Sequence, residues 1–423
     1  MSAVNVIPSR YPFPVTFGFE VRHRAGQRAR VGVIRTPHGE IHTPAFIPVG
    51  TKATVKAVLP ETMAELGAQA LLCNAYHLFL QPGSDLVDEA GGLSRFMNWP
   101  GPTFTDSGGF QVMSLGAGFK KVLAMDTTGL QNDDVIAEGK TRRAHVDEEG
   151  VTFFSHLNGD RLRFTPEVSM RIQHELGADV MFAFDELTTL MNTREYQEAS
   201  VERTHRWAVR CLRAHAQLTR ERVDKPYQAL FGVIQGAQYE DLRRHAARGL
   251  AALEVEGQRF DGFGLGGALE KQRLGEIIGW MVDELPEDRP RHLLGISEPE
   301  DLFEAVAAGA DTFDCVNPSR VARNAAIYTA DGRYNVNTSR HRRSFTPLEE
   351  GCDCYTCGHY TRAYLHHLFK AKEMLASTLA TIHNERFTVR LVDSIREALA
   401  AGSFEEFRDE FLGRYRRRGI LER

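Results

Sequence analysis

The chain has 423 residues, 42% of them hydrophobic and 25% charged, with a formal net charge of -5. This composition suits a soluble globular protein, either one large barrel with additions or two to three smaller domains. No apolar run is long enough to span a membrane, and residues 1–14 lack a signal-peptide core, so a cytoplasmic protein is expected.

Residues 16–44 alternate apolar and polar, with turns at 24–26 and 37–39, and predict hairpin strands ahead of the main body. A strand–helix rhythm then begins. Short apolar strands are expected at 45–50, 70–75 and 103–106, with helices at 60–66 and 85–90. The polar stretch 115–163 interrupts the rhythm and suggests an insertion with a hairpin near 151–157. Thr165 before Pro166 caps a helix over 166–177. Further strands are expected at 180–185, 229–235, 260–266, 292–297 and 312–316, with helices at 194–219, 241–253, 271–284 and 299–308. Three glycines make 260–266 the least strand-like of these. Eight strands with helices between them predict a (β/α)8 TIM barrel, an α/β fold whose catalytic face is at the C-terminal ends of the strands.

After Arg323 the rhythm is lost. A hairpin is expected over 328–336, turning at Asp331 and Gly332, then a helix over 361–383. A second helix over 389–401 would complete the barrel, and a basic, aromatic helix follows over 404–418. The expected organisation is an N-terminal hairpin region (1–44), a catalytic barrel (45–323), a C-terminal metal-binding subdomain (324–388), and a last barrel helix with a basic tail (389–423). Basic clusters at 339–344 and 414–418 can form a local patch for RNA phosphates, although solvated surface charge explains each cluster singly.

Three of six cysteines lie at Cys352, Cys354 and Cys357, a spacing that points to a metal and not to a disulfide framework. Zn2+ takes four such ligands tetrahedrally. The fourth is to be sought among His359, His366, His367 and His383. His367 and His383 are the best placed. Three Cys with one His make a closed, structural set.

Two carboxylates stand out. Asp314 interrupts the apolar strand TFDCV before an Asn317-Pro318-Ser319 turn, and Asp106 sits where an apolar run meets the Gly-rich SGGFQ segment. A carboxylate in a buried strand is costly unless paired or solvated. A turn-capping role would explain either one alone. Two at the ends of two strands suggest a paired-carboxylate active site.

Taken together, DSGGFQ (106–111), Asp185-Glu186, FGVIQG (231–236), FDCV (313–316) with Arg320, and the Cys-x-Cys-x-x-Cys…His set resemble the bacterial tRNA-guanine transglycosylase family. The resemblance runs from about Phe17 to the C-terminus. It implies exchange of the wobble guanine in GUN-anticodon tRNAs (those for Asp, Asn, His and Tyr) for a 7-deazaguanine, a step towards queuosine. It implies Asp314 as nucleophile and Asp106 as general acid/base. Ser107, Gly108, Gly109, Phe110, Asp185, Gln235, Gly266 and Gly267 would bind the base. Gly295, Ser297, Glu298, Asp301, Ser319, Arg320 and Arg323 would contact RNA. The resemblance assigns the zinc ligands to Cys352, Cys354, Cys357 and His383, and it implies a homodimer formed through the zinc-bearing region. A non-catalytic RNA-binding partner of such an enzyme is the alternative. This chain departs from the family pattern at Leu187, at 188–192 and at 268–271. These positions line the wall facing the base's 7-substituent, so both preQ1 and queuine stay open as substrates.

Overall fold

The computed structural model describes residues 17–111 and 144–421. The expectations for residues 1–16 and 115–143 lie outside the described residues. Strands β1 (Gly18–Ala25), β2 (Ala29–Thr36) and β3 (Gly39–Thr43) form the expected antiparallel meander.

The barrel begins with β4 (Ala45–Pro48), β5 (Leu71–Cys73) and β6 (Thr103–Thr105). Before it resumes, β7 (Ala144–Val146), β8 (Val151–Phe154) and β9 (Arg161–Phe164) make a separate antiparallel sheet of three strands, not a lone hairpin. Arg161 and Arg163 on the outer face of β9 disguise its alternation, while Phe164 on the inner face is buried. The barrel continues with β10 (Val180–Phe182), β11 (Ala229–Ile234), β12 (Gly262–Leu265), β13 (Arg291–Leu293) and β14 (Thr312–Cys315).

All eight barrel strands pair in parallel, in the order β4-β14-β13-β12-β11-β10-β6-β5. A parallel bridge between Val49 and Leu72 and a 2.7 Å bond from the Gly50 N–H to the Leu72 carbonyl close the ring. Ile47, Leu72, Phe104, Phe182, Phe231 and Val233 fill the barrel interior. Burying such aliphatic and aromatic side chains contributes about 1.5–3 kcal/mol each. A second apolar layer packs the strands against the helices.

Two helical boundaries differ from the sequence expectation. Asn317–Ala322 is a short helix and not merely a turn, because Pro318 in its first turn has the right φ and needs no amide partner. Residues beyond 361 form helices Arg362–Ala371 and Met374–Ala401, where the sequence suggests 361–383 and 389–401. The break falls at Lys372, a left-handed residue with φ +59° that carries no glycine signal. The polar run His383, Asn384, Glu385 and Thr388 reads as a boundary, yet all four are buried inside one helix. This helix packs against β4, and Arg396 Nη1 donates to the carbonyls of His42 (3.1 Å) and Pro44 (2.9 Å). The expected small hairpin is present as β15 (Ala326–Ile327) and β16 (Tyr334–Asn335), and helix Phe404–Leu421 ends the described chain. Among the described residues, no helix is long and apolar enough to cross a membrane.

Candidate active site and metal centre

Three aspartates gather at the C-terminal ends of β6, β10 and β14. Asp106 follows β6. Its Oδ1 accepts the Ala75 N–H at 2.8 Å, and its Oδ2 accepts Gln111 Nε2 at 2.7 Å and Asn74 Nδ2. Burial pushes its carboxyl up to about 6, against these donors, and the nearby charge of Asp314 adds to the rise.

Asp185 follows β10. It accepts Gln235 Nε2 at 2.6 Å and Ser107 Oγ at 3.1 Å. Burial raises its carboxyl to about 6 as well, with a contribution from Asp106. Ser107, next to Asp106, bonds to Asp185, and His292, beside Asp314, packs against Phe104 of β6 and Phe182 of β10, which links the three carboxylates at one end of the barrel.

Asp314 lies within β14. Its Oδ1 accepts the Gly295 N–H at 3.1 Å and lies 3.1 Å from His292 Nε2. His292 is fully buried between Phe104 and Phe182, and its Nδ1 lies 2.9 Å from Thr312 Oγ1. Both contacts fall on Oδ1, and among the described residues Oδ2 has no hydrogen bond.

The turn after β6 is tight. A Cβ on Gly109 would lie 3.0 Å from the Asp185 carbonyl oxygen and 3.3 Å from its carboxylate. Gly108 in the same turn has φ +82°. Together they bring the backbone against Asp185 and project Phe110 outward, 51% exposed. Gln235 is buried, and its Oε1 has no partner among the described residues. Gly267 has φ +80°, and a Cβ there would lie 2.4 Å from that Oε1, so only glycine lets the loop close over Gln235.

The RNA candidates divide. Arg320 is exposed, on the helix directly after Asp314. Gly295 serves Asp314 through its N–H. Ser297 and Ser319 are buried, with Ser319 Oγ donating to the Val316 carbonyl at 3.1 Å. Glu298 accepts from Asn317 Nδ2, Tyr328 Oη and Arg333 Nη1. Asp301 pairs with Lys271 at 3.2 Å, and Arg323 Nη1 donates to the Ser319 carbonyl at 2.9 Å. Asn74 and His292 escape the sequence analysis, and Gln111 enters it only as the end of DSGGFQ, without a role of its own. An Asn or His at a strand end carries no distinctive spacing.

At the C-terminal side, Cys352, Cys354 and Cys357 surround His383. Their Sγ atoms lie 3.6, 3.6 and 3.3 Å from His383 Nδ1. Tetrahedral ligation by thiolate and imidazole around one zinc ion requires S···N separations of about 3.5 Å. The four donor atoms lie within 4.8 Å of one another. His383 Nε2 lies 2.7 Å from the Tyr328 carbonyl, the outer contact that leaves Nδ1 for a metal. His367, the other candidate for fourth ligand, is not in the cluster.

A closed parallel barrel with carboxylates at its mouth and a Cys3His centre beside it defines a barrel enzyme of the glycosyl-transferring class. A family model described as queuine tRNA-ribosyltransferase matches residues 25–417. A queuine tRNA-ribosyltransferase of Symbiobacterium thermophilum is 46% identical over 398 residues, covering 93% of this chain and 90% of that protein. Proteins of the same name from Halothermothrix orenii (44% over 402 residues; 95% and 98% covered) and Pelotomaculum thermopropionicum (45% over 387 residues; 92% and 95% covered) are similarly close. The chain belongs to the queuine tRNA-ribosyltransferase family.

Proposed function

We propose that this chain is a tRNA-guanine transglycosylase that exchanges the wobble guanine of GUN-anticodon tRNAs for a 7-deazaguanine. The observation that carries this reading is the disposition of Asp314 and Asp106. Among the described residues one carboxylate keeps an oxygen without a hydrogen bond, and burial raises the other to about 6.

Replacing a base at ribose C1′ with retention needs a nucleophile on the sugar and an acid/base for the bases. Asp314 Oδ2 attacks C1′ as the C1′–N9 bond breaks, Asp106 gives its proton to the leaving guanine, and Oδ2 stays bonded to C1′ in the covalent intermediate. Asp106 takes the proton from the incoming base, whose nitrogen then displaces Asp314. A carboxyl titrating near 6 gives and takes a proton near neutral pH.

Asp185 already has partners of its own in the pocket, Gln235 and Ser107. Gln235 Nε2 donates to Asp185. A guanine offers N1–H and its 2-amino group to Asp185, and its O6 to Gln235 Nε2 and the Gly267 N–H. The base therefore replaces one internal bond with a matched set. Phe110 stacks on the extruded base. Arg320 lies where the flanking phosphates would run.

The Cys3His cluster suits Zn2+, held by Cys352, Cys354, Cys357 and His383, and its role is structural. The zinc-bearing region also exposes Phe345, Tyr355, Tyr364, Met374 and Leu375. Such a patch suits a partner surface, and we assign it to a second copy of this chain. A cytoplasmic location follows from the tRNA substrate. A non-catalytic RNA-binding partner would not need the Asp314 clamp, so that reading is not favoured.

The test is base exchange on unmodified GUN-anticodon tRNA, followed by mass spectrometry, with preQ1 and queuine offered separately. Incorporation of either, lost in Asp314→Asn, is the expected result. No exchange with either base or with labelled guanine would overturn the reading. Which base enters also reports on the wall carrying Leu187, half-buried, and Glu270, within reach of Arg273 at 3.4 Å.

A further inference from the structure

Arg243, in helix Glu240–Ala252, is fully buried. Among the described residues no carboxylate bonds to it. A guanidinium buried without a counter-ion is costly and calls for an explanation. Burial lowers it to about 9, so it remains charged at neutral pH. Four backbone carbonyls surround it. Nε donates to Ala237 O at 2.8 Å, Nη1 to Gly266 O at 2.6 Å and Ile234 O at 3.2 Å, and Nη2 to Ala268 O at 3.3 Å.

These carbonyls belong to the ends of β11 and β12 and the loops that follow them. Those segments carry Gln235 and Gly267. In a trans peptide the carbonyl and the N–H point in opposite directions. Holding the Gly266 carbonyl against Arg243 therefore turns the Gly267 N–H away from Arg243. Among the described residues that N–H has no acceptor, and a charged donor on the carbonyl polarises the same peptide.

We propose that Arg243 is a positioning residue that sets the Gly266–Gly267 peptide so that its N–H reads the 6-oxo group of the base. The proposal rests on the base assignment above. The fixed charge lies behind the peptide and never touches the base. It makes the N–H a stronger donor to an oxygen whose negative charge grows when the base is deprotonated.

The test pairs guanine with 6-thioguanine, which differs only at C6 and accepts hydrogen bonds more weakly. Binding of each to the full-length wild type, Arg243→Lys and Arg243→Met is measured by calorimetry, and base exchange supplies KM and kcat. The expected result is that the preference for guanine over 6-thioguanine falls at least about tenfold in both variants, a loss of about 1.4 kcal/mol in discrimination. KM for the base should rise more than kcat falls. Wild-type discrimination in a folded variant would overturn the proposal. So would failure of both variants to fold, which would make Arg243 purely structural. Absence of guanine binding by the wild type would instead sink the base assignment itself.

Discussion

The two ends of the barrel treat aspartate differently. At the N-terminal end, Asp311 meets Arg30 through two bonds of 2.8 and 2.6 Å and accepts the Arg291 N–H at 2.7 Å. Asp179 meets His38 at 2.8 Å and the Thr103 N–H at 2.8 Å. At the C-terminal end, Asp106, Asp185 and Asp314 receive amides, a hydroxyl and an imidazole, but no lysine or arginine among the described residues. Asp261 is the exception at the N-terminal end, held by Tyr227 Oη and the Leu230 N–H. A carboxylate paired with a buried arginine, as Asp311 is, is committed to the fold, whereas one without an arginine or lysine partner can still meet a substrate.

The largest effect is expected of Asp314→Asn. Loss of the proposed nucleophile should lower exchange by at least about ten-thousandfold and abolish the covalent RNA adduct on denaturing gels. The opposite end should respond in stability instead. Asp311→Ala leaves the Arg30 charge buried and should cost about 3–5 kcal/mol in urea unfolding, with KM for the base unchanged. A large KM change in that variant would dissolve the distinction between the ends.

Asp106 sharpens the comparison further. Its carboxyl titrates near 3.8 when unfolded and about 6 when folded, so the folded chain binds the extra proton between those values. Stability therefore falls as pH rises from about 4 to about 6 and stays lowered above that. Asp106→Asn should be more stable than the wild type at pH 7 by up to about 3 kcal/mol, and the gain should vanish below about pH 4. Equal stabilities at pH 7 would contradict this. Asp185 gives the smallest effect. Guanine affinity should weaken about tenfold per pH unit below about 6, and Asp185→Asn should bind weakly without that dependence.

Most of the eight strands were legible as short apolar runs bounded by Gly, Pro or polar residues, as in the segments ending at Asp106 and Asp314; the glycines of β12 and the Arg-His start of β13 weaken that signal. The Met374–Ala401 helix was not, because its buried polar residues mimic a boundary and the real break at Lys372 has no sequence mark. The aspartates and the Cys3His set were legible as charged or thiol residues in unlikely places. His292 and Arg243 were not. Each looks like an ordinary residue of a strand or an amphipathic helix, and only the fold shows what it faces.

The Met374–Ala401 helix has a consequence for how the barrel is held. It carries His383. Asn384 Nδ2 donates to the carbonyls of Pro318 (3.1 Å) and Ala326 (3.0 Å), and Arg396 reaches the carbonyls of His42 and Pro44, just ahead of the first barrel strand. A chain cut before residue 374 would keep all eight barrel strands but lack the fourth residue of the Cys3His cluster, the tether of the segment after Asp314, and the helix packed against β4. The last part of the sequence therefore braces a ring whose strands it does not supply.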